Sequence, residues 1–157
     1  SATCFYENNL TLRLSGAESA VHAARAKLGG ELISDGTVFW NSIREQTHPF
    51  FQSSSSLWRL SLKSNSPPLK LLGQQLIEWG GALRWLACSG EGMDTEENII
   101  RSESILAGGN ATLFRSNESS DSAFQPPGLQ MMKIYQRIKE KFDPVGIFNP
   151  GRMFRDL

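Results

Sequence analysis

The 157-residue chain, 39% hydrophobic and 20% charged, is long enough to bury a core as one domain without a disulfide framework or a structural metal. Lys plus Arg balance Asp plus Glu at 16 each, so charge points to no nucleic acid and no membrane-surface partner. Apolar runs such as Trp85 to Cys88 fall far short of the about 18 residues a membrane span requires.

The chain opens at Ser1 directly on a strand-like run, Ala2 to Tyr6, with no leader before it, and reads as cut from a longer protein. Leu10 to Leu14 is a second β-prone run, and Glu7-Asn8-Asn9 between them suits a tight turn, predicting a β-hairpin. After Ser15-Gly16, the residues Ala17, Ala20, Val21, Ala24 and Leu28 recur at helical spacing until Gly29-Gly30. Glu31-Leu32-Ile33 reads as a short strand. Asp35 then caps a helix through Val38, Phe39, Ile43 and Gln46, which Pro49 stops.

Leu57 to Lys63 is a further strand, and Pro67 to Gln75 stands where a helix is possible but reads as irregular. Leu76 to Trp79 and Ala82 to Leu86 flank Gly80-Gly81, a two-residue hairpin signal. A helix from about Thr95 to Leu106, the punctuation Gly108-Gly109 and a strand Ala111 to Phe114 follow. Ser53 to Ser56 and Ser116 to Gln125 read as loops. From Leu129, the stripe Met131, Ile134, Tyr135, Ile138 and Phe142 marks a terminal helix that Asp143-Pro144 ends.

Both halves follow the order hairpin, Ser-Gly, helix, Gly-Gly, strand, with a repeat over roughly 2–34 and 74–115 and a helix-plus-tail segment 127–157. The fold class is therefore α+β: duplicated split-βαβ, ferredoxin-like units with an antiparallel sheet and a C-terminal helix, forming one domain over 1–157.

Few residues offer chemistry. His22 and His48 are far apart and have no further ligand at metal spacing, so no metal site is assigned. Gly90-Glu91-Gly92 falls short of a phosphate-binding GxGxxG pattern. No Ser lies in a nucleophile elbow, and Cys4 and Cys88 sit in apolar runs as buried free thiols of a reducing, cytoplasmic compartment. No catalytic residue is assigned. Alternation places Arg59 with Ser61 and Lys63 on one strand face, and Arg84 opposite Leu83 and Trp85, predicting one core face and one polar face. Covered by another domain, Arg59 and Arg84 could hold an anionic group by bidentate hydrogen bonds; uncovered, they are solvated surface residues. Trp58, Trp79 and Trp85 are expected in the core or an interface, and His48-Pro49-Phe50-Phe51 as a loop anchored by its aromatics.

The tail contains two turn sequences, Asp143-Pro144-Val145-Gly146 as type I and Asn149-Pro150-Gly151-Arg152 as type II. Following an amphipathic helix, Phe142 to Arg152 also resembles the C-terminal signature of flavoproteins related to p-cresol methylhydroxylase and vanillyl-alcohol oxidase. Leu12 to Glu18, Arg44-Glu45-Gln46, His48 to Phe51, Leu57 to Ser61, Trp79 to Leu86 and Ala111 to Arg115 extend the likeness to the FAD-binding subunits of bacterial glycolate oxidases. The resemblance implies an FAD-linked oxidase C-terminal-domain-like fold that covers the flavin, the N-terminal FAD-binding domain being absent. It further implies work with a second flavin subunit and an iron–sulfur subunit in oxidising glycolate to glyoxylate, with electrons passed to an acceptor other than oxygen. Peripheral attachment to the inner membrane would then come through that complex.

Carried onto this chain, the resemblance makes Asn149, Gly151 and Arg152 flavin contacts and Arg59 and Arg84 substrate contacts. Two cysteines cannot hold an iron–sulfur cluster. The His-Glu-x-x-His-type segment of related 2-hydroxy-acid dehydrogenase subunits is missing from this sequence, which implies that glycolate oxidation itself falls to the partner. Two other readings compete: a self-sufficient ferredoxin-like ligand-binding or regulatory module, and a docking platform for the other subunits.

Overall fold

A computed structural model describes residues 1–52, 54–89, 93–117, 123–154 and 157. The expected Gly90-Glu91-Gly92 loop, and the parts of the two loops at Ser53 and 118–122, lie outside the described residues.

Six antiparallel strands form one sheet: β1 (Ala2–Tyr6), β2 (Asn9–Arg13), β3 (Ser56–Ser61), β4 (Gln74–Glu78), β5 (Leu83–Cys88) and β6 (Asn110–Ser116), in the order β2-β1-β4-β5-β3-β6. Among the described residues four helices accompany them: α1 (Glu18–Leu28), α2 (Gly36–Arg44), α3 (Met93–Leu106) and α4 (Leu129–Phe142). The α+β class, the antiparallel sheet and the C-terminal helix agree with the sequence pattern. Strands β3 to β6 alone give the order β4-β5-β3-β6, which is the strand arrangement of a ferredoxin-like unit. The crossover from β5 to β6 is α3. The crossover from β3 to β4 is the irregular Pro-rich segment, whose Leu69 and Leu71 pack where a first helix would lie. Pro67-Pro68 explains that substitution, since neither residue can donate a helical hydrogen bond.

The β1–β2 hairpin adds to the free edge of β4 through Cys4↔Glu78 and Phe5↔Ile77. Its turn is two residues, with Glu7 and Asn8 at φ 47° and 63°, the left-handed pair that matches strand twist.

The strand expected at Glu31-Leu32-Ile33 does not form. Gly29 and Gly30, at φ 70° and 85°, turn the chain away from α1, and Leu32 and Ile33 stay exposed with no strand beside them. The β4–β5 connection is also longer than two residues. Glu78 pairs with Leu83, and Trp79 to Ala82 form a four-residue loop in which Trp79, Gly80 and Gly81 all have positive φ. Trp79 is consequently 72% exposed, whereas Trp58 and Trp85 are buried as expected.

Both faces of the central strands are core, which corrects the expectation of one polar face. On one face, Leu57, Leu76, Leu83, Trp85 and Ala87 meet Ile43 of α2 and the Phe50-Phe51 pair of a 3₁₀ turn, Pro49–Gln52. On the other, Trp58, Leu60, Leu62, Leu86 and Leu113 meet Ile100 of α3. Each such buried large apolar side chain contributes about 1.5–3 kcal/mol of transfer free energy. Cys4 and Cys88 are buried free thiols, and burial pushes each up to about 11, so neither is a thiolate near neutrality.

Candidate functional site

Arg59 and Arg84 are not brought together. In the β3–β5 register Arg59 lies opposite Trp85 and Leu60 opposite Arg84, so the two guanidinium groups leave opposite faces of the sheet. Arg84 is 4% exposed, and its donors are taken by the carbonyls of Pro67 at 2.8 Å, Ser66 at 2.5 Å and Gly81 at 3.4 Å. It ties the Pro-rich crossover to the sheet, and burial lowers its pKa. Sequence alternation assigns Arg84 to a face without saying what covers it, and the substrate contact implied by the resemblance depends on that cover.

Arg59 is half-buried and donates to Ser61 Oγ at 3.2 Å. Glu78 accepts a hydrogen bond from Trp85 Nε1 at 2.8 Å on this same face. Desolvation raises the Glu78 pKa, against the opposing effects of the Trp85 hydrogen bond and the Arg59 charge. Phe114 packs edge-on to Trp85 at 5.1 Å and is itself half exposed. Arg59, Glu78 and Phe114 thus lie around the buried Trp85 on one sheet face. Sequence reading missed Glu78 as part of it, although its placement one residue before the Trp79 loop put it on the strand end facing Arg59.

His48 is elsewhere, on a groove of about 470 Å³ shared with Cys4, Tyr6 and Phe39. Its Nδ1 accepts from Phe50 N at 3.3 Å, and desolvation lowers its pKa, so the ring is an anchor for the Phe50-Phe51 turn. This fits the loop-anchor expectation. Among the described residues no group of three or more His, Cys, Asp or Glu comes together as a metal-binding set.

The tail carries the remaining site residues. Along α4, Leu129, Met131, Ile134, Ile138 and Phe142 are exposed, the last at 81%, so the apolar stripe is present but faces solvent. Beyond the helix the chain is shaped by polar contacts. The Asp143 carboxylate, only 7% exposed as a residue, accepts from Ile147 N at 3.0 Å, Phe148 N at 2.9 Å and Lys139 Nζ at 2.6 Å. The Lys139 ammonium, helped by the two amides, holds Asp143 down at about 2 against the opposing effect of desolvation.

Both expected turns form. Gly146 N donates to Asp143 O at 3.0 Å, and Arg152 N donates to Asn149 O at 3.2 Å with Gly151 at φ 67°, the positive value that position of a type II turn requires. Gly151 N also reaches Leu157 O, and Phe154 stacks on Tyr135 with centroids 6.1 Å apart, so the tail folds back along α4. Asn149, Gly151 and Arg152 are thus brought into one exposed turn. The Lys139/Asp143 pair was legible as an i,i+4 spacing across the helix end, a signal the sequence reading did not use.

Fold and tail together define a ferredoxin-like α+β domain that presents an apolar helix face and a proline–glycine turn outward. The chain is 43% identical over all 157 residues to glycolate oxidase subunit GlcE of Escherichia coli (strain K12). This bears out the likeness to a glycolate oxidase subunit read from the motifs. The chain spans 42% of the length of that relative. No protein-family profile and no solved structure matches it.

Proposed function

We propose that this chain is the C-terminal, flavin-covering domain of the FAD-binding subunit of a glycolate oxidase, inactive without the FAD-binding domain that precedes it. The observation that carries the reading is the 43% identity to glycolate oxidase subunit GlcE along the entire chain. The outward apolar face of α4, with Val145, Ile147, Phe148 and Met153 exposed after it, supports it further, because a continuous apolar surface of this kind suits a covering neighbour. No helix among the described residues is long and apolar enough to cross a membrane. The proposed setting is the cytoplasm, with attachment to the inner membrane through the complex.

In this reading Asn149 and Arg152 contact FAD from either side of Gly151, which has no side chain to obstruct backbone approach. An amide and a guanidinium suit the carbonyl oxygens and anionic groups of a flavin nucleotide. The flavin, when bound, supplies two-electron acceptance. Arg59, half-buried beside Trp85, is the candidate for the substrate carboxylate; Arg84, consumed by three carbonyls, is not. A second flavin subunit and an iron–sulfur subunit complete the proposed complex, which passes electrons from glycolate to an acceptor other than oxygen.

The test is deletion of these 157 residues from the intact subunit, followed by assay of glycolate-dependent dye reduction by the assembled oxidase. Loss of dye reduction is expected. Full activity in the deletion would contradict the proposal.

A further inference from the structure

Between Phe142 and Met153 apolar packing does not set the conformation of the tail; its ring contact comes later, where Phe154 stacks on Tyr135. Val145, Ile147, Phe148 and Met153 are all exposed, as is Phe142 at the end of α4, yet residues 143–152 adopt two closed turns. Polar bonds converge instead on a single carboxylate. Asp143 takes the N–H groups of Ile147 and Phe148, and Lys139, which is paired with Asp143, also donates to the carbonyl of Phe148. The Phe148 residue is therefore held on both its backbone groups, immediately before Asn149.

Asn149 needs such support. It sits at φ 47° and precedes Pro150, and a residue before proline favours extended backbone. Left-handed backbone is disfavoured for any residue with a Cβ. Asn is among the residues that tolerate it, and Asn149 is held on one side by Arg152 N donating to its carbonyl and on the other by the fixed Phe148 peptide.

We propose that Asp143 is the positioning residue of the tail: through Lys139 and the amides of Ile147 and Phe148 it presets the Asn149–Arg152 turn in the form that meets the flavin. The inference rests on the flavin-covering reading above. A local helix-end stabiliser would need only the Lys139 pair; the additional hold on Ile147 and Phe148 extends the effect to the functional turn.

The experiment uses the intact FAD-binding subunit, wild type against Asp143→Ala, Asp143→Asn, Lys139→Met and Lys139→Arg. Amide hydrogen exchange at Ile147 and Phe148 should accelerate at least about tenfold in Asp143→Ala while β3 and β5 amides keep their protection. In the same variant the Kd for FAD should rise about tenfold or more and the flavin absorption band should shift. Asp143→Asn and Lys139→Met should give smaller changes of the same kind, and Lys139→Arg should restore wild-type behaviour. Unchanged exchange at the two amides overturns the clamp. Faster exchange with unaltered FAD affinity and spectrum overturns the positioning role. A wild-type subunit that holds no FAD overturns the flavin reading itself, and with it the purpose assigned to the turn.

Discussion

Trp85 and Glu78 are joined across the β4–β5 hairpin: the indole N–H donates to Oε2 of the carboxylate at 2.8 Å, on the sheet face that also carries Arg59. The carboxylate is held there at a cost, since desolvation raises its pKa above its ordinary 4.5. A carboxyl group whose pKa is higher in the folded than in the unfolded chain binds more protons when folded. Its contribution therefore favours folding most below the unfolded pKa and diminishes as pH rises through the folded one. Glu78→Gln should flatten this part of the stability-against-pH curve above about 4.5. Trp85→Phe should raise the Glu78 pKa further and destabilise by about 1 kcal/mol, the usual worth of one hydrogen bond. Urea denaturation across the pH range, with NMR titration of the carboxyl, checks both.

Arg84 and Arg59 should separate cleanly. Arg84→Ala strands three carbonyl contacts beneath the Pro-rich crossover and should cost about 2–4 kcal/mol, with Arg84→Lys recovering part of it. Arg59→Ala, at a half-buried position with one side-chain hydrogen bond, should cost about 1 kcal/mol or less and should instead raise the KM for glycolate in the assembled oxidase. Denaturation midpoints and steady-state kinetics on both variants distinguish the roles. A normal KM in Arg59→Ala would remove it from the substrate contacts.

Gly81 in the β4–β5 loop cannot carry a side chain. Its φ is 98°, and a Cβ there would lie 2.5 Å from the carbonyl oxygen of Ser64. Gly81→Ala should destabilise by at least about 2 kcal/mol, because left-handed strain and a backbone clash add. Gly80→Ala, where a Cβ would meet nothing within 4 Å, should cost less, and thermal melts of the pair give the comparison.

The Asp143 clamp should show a defined acid limit. Its folded pKa of about 2 lies below the ordinary 3.8, so its contribution is fully present above about 3.8 and is lost as pH falls through about 2. Tail-amide protection at Ile147 and Phe148 should follow that window in the wild-type chain, and in Asp143→Asn the weaker protection should not change across it. Hydrogen exchange at a series of acid pH values reads this directly.

Much of this architecture was legible in local sequence. The Glu7-Asn8 turn, the Gly29 end of α1, the failure of Pro67-Pro68 to make a helix and the two tail turns all follow from backbone preferences that a few residues determine. What failed to show was decided by neighbours distant in sequence. Leu32-Ile33 has strand composition but no strand beside it to pair with. The Leu76 to Trp79 run has strand composition, yet Trp79 falls past the last sheet pair and turns outward. Arg84 alternates like a surface residue, but α3 and the crossover cover its face, so it became structural. The clamp was missed for the opposite reason: Lys139 and Asp143 are close in sequence, but the two amides that give the pair its consequence appear only once the tail has turned.

The proposed function has this domain cover a flavin bound by another part of the same subunit. Flavin content per polypeptide, measured by absorbance on this 157-residue chain alone and on the intact subunit, tests it most directly. A colourless chain and a yellow subunit with one FAD each are expected. Stoichiometric FAD on the isolated chain, or an intact subunit that folds and carries none, would contradict it.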